Sequence, residues 1–133
     1  MEITNIVAKI MICNQNELTE EQKSVVEAAK IATLGSYAPY SHFNVGAGVL
    51  LDNGEIVKGS NQENAAYPSG TCAERTALFY AGANFPQAKV KKIAIIASHN
   101  GDFTEKVCSP CGACRQVMLE SQYRAGEPIE VLL

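Results

Sequence analysis

Tryptophan is absent from this chain, histidine occurs only twice, and no apolar stretch is long. A membrane span takes ~20 consecutive apolar residues. No run here approaches that, so no membrane partner is expected. Met1 to Cys13 is apolar but interrupted by Glu2 and Lys9. It lacks the basic leading region, long apolar core and small-residue cleavage site of a secretory signal. Basic runs are missing too: 11 Lys and Arg against 14 Asp and Glu leave a net charge of −3. Such a surface repels a phosphate backbone, which disfavours polymeric DNA or RNA and leaves a small molecule as the better partner. Proline is scarce, at five residues, and no low-complexity tract is visible, which argues against disorder. Five cysteines cannot all pair, and without a secretory signal they read as reduced thiols or metal ligands. The expected location is cytoplasmic. What remains is an ordinary globular balance, 47% hydrophobic and 19% charged, over 133 residues. That length suits one domain, residues 1–133.

Hydrophobic periodicity orders the elements. Ile3 to Ile12 alternates loosely and predicts a short edge strand. Thr19 and Gln22 form a capping-box pattern, and Val25, Val26, Ala29, Ile31 and Ala32 give one apolar helical face that Gly35 ends. After the turn Ala38-Pro39-Tyr40-Ser41, the apolar run Val45 to Leu51 predicts a buried strand. Asp52-Asn53-Gly54 then turns into a second strand, Glu55 to Gly59. A polar loop, Ser60 to Thr71, leads to a second helix over Ala73 to Ala81, ended by Gly82. Val90 to Ala97 predicts another buried strand. Ser109 and Pro110 suit the N-cap and first residue of a third helix reaching Tyr123, with Met118 and Leu119 as its core stripe. Ile129 to Leu133 begins a last strand, and Cys13 reads as a small buried hydrophobe. Strands alternating with helices predict an α/β chain whose sheet is covered by helices.

Cys72, Cys111 and Cys114 carry the chemical signal. The last two form a C-x-x-C pair at the start of the third helix, and Cys72 opens the second. Thiols at helix N-termini face the positive end of the macrodipole, which favours thiolate and prepares them for metal. Three thiolates with an open position describe a catalytic zinc site, whereas a structural site is usually closed by four protein ligands. Glu74, two residues after Cys72, places a carboxylate beside the metal without ligating it. Catalytic zinc lowers the pKa of bound water towards ~7, so that carboxylate can take its proton and pass it on. C-x-E followed by P-C-x-x-C is the cysteine form of a zinc-deaminase signature.

Four blocks in order resemble the small homotetrameric cytidine deaminases: Tyr40 to Ala47 (YSHFNVGA), Asn61 to Tyr67 (NQENAAY), Cys72 to Leu78 (CAERTAL) and Pro110 to Gln116 (PCGACRQ). The resemblance covers about Gly35 to Val117. It implies a three-layer α/β/α cytidine deaminase-like domain with a mixed sheet, one zinc held by Cys72, Cys111 and Cys114, and proton transfer by Glu74. It further implies that Asn61 and Glu63 hydrogen-bond ribose hydroxyls and that Phe43 packs on the pyrimidine face. The Ala73 amide would contact the base carbonyl, the Ser109 carbonyl would face the leaving amine, and Arg75 would donate to the thiolates. The implied substrate is a free nucleoside, the implied role pyrimidine salvage, and the implied assembly a homotetramer. Members of the family continue past the position matching Leu133 into a segment that helps close a neighbour's site.

Three alternatives stand beside this reading. Cys72, Cys108, Cys111 and Cys114 could hold an iron–sulfur cluster, or a structural zinc with Cys108 or a histidine as fourth ligand. Neither uses Glu74, Asn61 or Glu63. A deaminase of the blasticidin type shares the zinc motif, but Tyr40-Ser41, Phe43 and the Asn61/Glu63 pair favour a plain ribose nucleoside. His42 and His99 read as surface or satisfied residues, and Cys108 as a loop cysteine.

Overall fold

The computed structural model describes residues 1–133. Helix α1, Glu20–Ala32, starts where the capping box places it. The Thr19 hydroxyl accepts from the Gln22 amide at 3.2 Å, and Gln22 Oε1 accepts from the Thr19 amide at 2.8 Å. Glu20 and Glu21 in its first turn and Lys30 in its last complement the helix dipole. A 3-10 turn, Thr33–Gly35, follows. The remaining elements are β1 Phe43–Leu51, β2 Ile56–Ser60, α2 Ala73–Asn84, β3 Val90–His99, β4 Asp102–Phe103, α3 Gly112–Ala125 and β5 Glu130–Leu132.

The sheet order is β2-β1-β3-β4, antiparallel throughout, and β5 joins β3 in parallel. The sheet is therefore mixed, as expected. Alternation along β1 and β3 then sorts side chains to two faces. Val45, Ala47, Val49 and Leu51, with Ile93, Ile95 and Ala97, pack under Ala73, Ala77 and Leu78 of α2 and Met118 of α3. Leu50 and Ala94 face the other way, onto Val25, Val26 and Ala29 of α1. Three layers result, with α2 and α3 on one face and α1 on the other.

Glycine sets how close the helices come. A Cβ on Gly46 would lie 2.0 Å from the Ala29 carbonyl oxygen, and one on Gly59 would lie 2.5 Å from the Ala77 amide nitrogen. The backbones of α1 and α2 thus rest directly on the sheet.

Several sequence expectations are corrected. Ile3 to Ile12 forms no strand, and its large apolar side chains are exposed, because no neighbouring strand is there to pair with it. Cys13 is exposed rather than buried. Ile31 is exposed because it stands 200° round the helix from Ala29. The second strand is Ile56–Ser60, one residue later than expected. Gly82 does not end α2, since a lone glycine costs only about 1 kcal/mol in a helix. The stop comes after Asn84, where Phe85 leaves helical backbone just before Pro86. Ser109 and Pro110 do not begin α3. Cys111, extended at φ −69° and ψ 170°, is its N-cap, and the helix runs past Tyr123 to Gly126, a left-handed C-cap. Leu119 lies 100° round from buried Met118 and is exposed. The short hairpin into β4 was not anticipated, although Asn100-Gly101 (φ 53° and 90°) is its turn. No helix is long and apolar enough to cross a membrane.

Candidate active site

Cys72 and Cys111 are the N-caps of α2 and α3, and Cys114 is buried in the first turn of α3. The three Sγ atoms lie within 4.8 Å of one another, and Cys111 Sγ is 3.5 Å from Cys114 Sγ. Tetrahedral zinc with Zn–S near 2.3 Å sets its sulfurs ~3.8 Å apart, so the trio fits that ion. Cys108, His42 and His99 do not join the group. His42 and His99 are exposed and pair with each other, His99 Nδ1 donating to the His42 carbonyl at 2.9 Å. With no fourth thiolate in the group, neither the four-thiolate cluster nor the closed structural site is formed.

The thiols differ in their electrostatics. Burial pushes the Cys114 thiol far above its usual range, and the Glu74 carboxylate adds to this. Burial raises Cys108 as well, again with Glu74 contributing. Cys111 goes the other way, held below its usual value mainly by the Cys114 amide at the start of α3. Glu74 is itself buried, 5% exposed, in the first turn of α2. Arg75 is the cation among these groups. Its Nη2 donates to Cys72 Sγ at 3.6 Å, and hydrogen bonds to Cys72 and then Cys114 raise its pKa. Its Nε is buried without a partner. Three thiolates around a divalent ion would leave one negative charge, which this guanidinium is placed to offset.

The Ala73 amide, first in α2, makes no backbone hydrogen bond, and Ala73 itself is fully buried. Ser109 is exposed beside buried Pro110, and Arg115 Nε fixes that turn by donating to the Pro110 carbonyl at 2.9 Å. The Asn61–Glu63 segment reaches the same place through paired backbone bonds between Gln62 and Thr71, both 2.9 Å, next to Cys72. Tyr37 grips its other side: the Tyr37 amide donates to the Asn61 carbonyl at 3.0 Å, and the Glu63 amide to the Tyr37 carbonyl at 2.8 Å. Asn61 Nδ2 donates to the Phe43 carbonyl at 2.9 Å, tying half-buried Phe43 to this segment. Glu63 accepts from the Tyr40 and Ser41 amides at 2.9 and 3.3 Å. The Ser41 hydroxyl, ahead of those amides, holds its carboxyl below the ordinary range. Sequence reasoning named these side chains but missed the groups that hold them, Ser36, Tyr37 and Arg115. Arg115 had a local signal, sitting five residues after Pro110. Ser36 and Tyr37 had none.

A surface groove of about 800 Å³ lies on the α1 side, lined in part by Leu18, Val26, Ile31 and Ile56, away from the thiols. The thiol trio lies instead at the converging starts of α2 and α3. Comparison with known proteins bears on that site directly. Residues 19–126 match the cytidine and deoxycytidylate deaminase zinc-binding region. A cytidine deaminase of Halalkalibacterium halodurans is 43% identical over 75% of this chain and 71% of its own. One from Sporosarcina psychrophila is 44% identical over 74% and 68%. The crystal structure of cytidine deaminase from Burkholderia pseudomallei superposes with a TM-score of 0.70 at 40% identity, over 86% of this chain and 83% of that one. With the thiol trio, the fold and this likeness agreeing, the chain belongs to the cytidine and deoxycytidylate deaminase family.

Proposed function

We propose that this chain, a single domain, hydrolyses cytidine and 2′-deoxycytidine to the uridine forms and ammonia, in the service of pyrimidine salvage. The observation that carries the reading is buried Glu74 set one residue from Ala73 and two from Cys72, beside three converging thiols. Cys72, Cys111 and Cys114 would hold one zinc ion, whose Lewis acidity makes hydroxide available near neutral pH. Glu74 takes a proton from the attacking water and gives one to ring N3, which makes C4 electrophilic. The same carboxylate then takes the water's second proton from the new C4 hydroxyl and delivers it to the departing amine, so that water and nucleoside leave as ammonia and the keto product. The Ala73 amide binds the base carbonyl, the Ser109 carbonyl faces the leaving amine, and Phe43 covers the pyrimidine. Asn61 and Glu63 meet the ribose hydroxyls, and Arg75 balances the thiolates.

The working form is a homotetramer in the cytoplasm. Phe79, Tyr80, Leu119 and Tyr123 on α2 and α3 are exposed aromatic or aliphatic groups that a neighbour would cover. Symmetric closure is the usual outcome for such chains. Light scattering at micromolar concentration tests the assembly, and a fully active monomer would remove it. Ammonia release from a panel of cytidine, 2′-deoxycytidine, cytosine, cytidine monophosphate and an aminonucleoside antibiotic tests the reaction. The two nucleosides should react far faster than the base, which leaves the polar pair without partners at about 1–3 kcal/mol per group. Comparable efficiency on cytosine or on the nucleotide would be fatal to the assignment.

A further inference from the structure

The Asn61 side chain has two N–H donors and two acceptor positions on Oδ1. The Val45 amide donates to Oδ1 at 2.8 Å and Nδ2 donates to the Phe43 carbonyl at 2.9 Å. These backbone groups cannot exchange roles, so the amide cannot flip. Turned over, it would set N–H against N–H and oxygen against oxygen. The Ser36 hydroxyl donates to the same Oδ1 at 2.5 Å. Ser36 is itself half-buried and fixed, extended at φ −66° and ψ 135°, with its amide on the Thr33 carbonyl at 3.2 Å. Three of the four positions on Asn61 are therefore taken within the protein.

We propose that Ser36 is a positioning residue for Asn61: its hydroxyl fills the last acceptor position, so that Asn61 offers the substrate a single N–H and no acceptor. The inference rests on the reading of Asn61 as a sugar contact. Asn61 then recognises only an oxygen that can accept, while Glu63 on the same segment, a carboxylate, only accepts. A sugar hydroxyl, which can do both at once, is the group that satisfies the two together. Without the Ser36 hydroxyl, Asn61 loses one of its three anchors and keeps a half-buried acceptor that competes for the same ligand hydroxyl.

The test is steady-state kinetics on cytidine for Ser36→Ala, Ser36→Thr, Asn61→Ala and the Ser36→Ala/Asn61→Ala double variant. Ser36→Ala should raise KM about 5- to 150-fold, the range for leaving one polar group unpaired, with kcat within about twofold. Ser36→Thr, which keeps the hydroxyl, should restore KM. In the Asn61→Ala background, removing Ser36 should change nothing further. A KM within twofold of wild type in Ser36→Ala, or full additivity with Asn61→Ala, overturns the proposal. A second readout needs no turnover: in ¹⁵N spectra the Asn61 side-chain amide pair should be sharp in the wild type and broadened or shifted in Ser36→Ala. An unchanged pair overturns the lock even where no nucleoside reacts, whereas an inactive wild type with a changed pair removes only the sugar-binding reading.

Discussion

Replacing Gly59 by alanine tests whether backbone contact seats α2 on the sheet. The added Cβ would stand 2.5 Å from the Ala77 amide nitrogen, 2.7 Å from the Ala73 carbonyl oxygen and 2.8 Å from the Ala77 Cβ. None of these is the end of a flexible side chain, so the helix must retreat as a body. Ordinary contact begins near 3.5 Å, which asks for a shift of about 1 Å. Overpacking of this kind costs about 1–3 kcal/mol. A chain of this length loses roughly 3–5 °C of Tm per kcal/mol, so a fall of about 3–15 °C is expected. The clash is at the first turn of α2, so the same shift displaces Cys72 and Glu74, and misplacement by about 1 Å can cost about 100-fold in rate. Calorimetry, metal content and turnover would be measured on one preparation. Gly82→Ala is the control in the same helix. Its Cβ would meet only Arg124 Nη1 at 3.5 Å, and it should gain up to about 1 kcal/mol from helix propensity. Gly59→Ala with wild-type Tm and turnover within twofold would refute the claim that close backbone packing places the site.

Glu74→Gln should keep fold and metal yet lose turnover by about 10²–10⁴-fold or more, since the amide cannot accept the water's proton. Retention of a tenth of wild-type rate would rule Glu74 out as the shuttle. Elemental analysis should find one zinc per chain, kept in Cys108→Ser and lost in Cys111→Ser. Zinc loss in the former, or iron with broad visible absorption, would contradict the three-thiolate site. Lys92 bridges Glu130 at 2.5 Å and Glu21 at 3.4 Å, and its pKa is raised chiefly by Glu130. The Glu130 carboxyl is lowered, by Lys92 first and Gln22 next. Their contribution to stability should be level between about pH 5 and 10. It should fade as pH drops through the depressed Glu130 value and as pH rises through the raised Lys92 value. Urea midpoints against pH should show both limbs flattened in Lys92→Met, and an unchanged profile would refute the linkage.

The zinc motif was legible because its chemistry constrains residue type and spacing together. Cys72, Cys111 and Cys114 come together at helix starts, which leave few other places for them. Thr19 with Gln22, and the apolar runs of β1 and β3, were legible for the same reason: local rules act within a few residues. The misses have a common cause in geometry just beyond that range. Ile31 and Leu119 are apolar but point 200° and 100° away from buried neighbours, which composition alone does not register. Ile3 to Ile12 has a strand-like pattern without a partner strand. Cys111, two residues after Ser109, caps α3 without a side-chain hydrogen bond, a choice that cap preferences for serine do not register. The internal bonds of Asn61 and Glu63 were hidden because their partners, Phe43, Val45, Tyr40 and Ser41, lie 16 to 23 residues away.

Neither α2 nor α3 has a side-chain hydrogen bond at its N-cap; each has a thiol there instead. An ordinary Ser or Asp cap would contribute about 1 kcal/mol to each helix start. A zinc ion shared by the thiols would take over that role, which would make it an effector of local order as well as a reagent. Linkage then runs both ways: whatever frays the first turn of either helix must weaken metal retention by the same free energy by which metal suppresses the fraying. Amide exchange at Ala73–Arg75 and Gly112–Cys114 should therefore rise together on chelation, two segments far apart in sequence behaving as one cooperative unit. The amides of α1, across the sheet, should remain as protected as before.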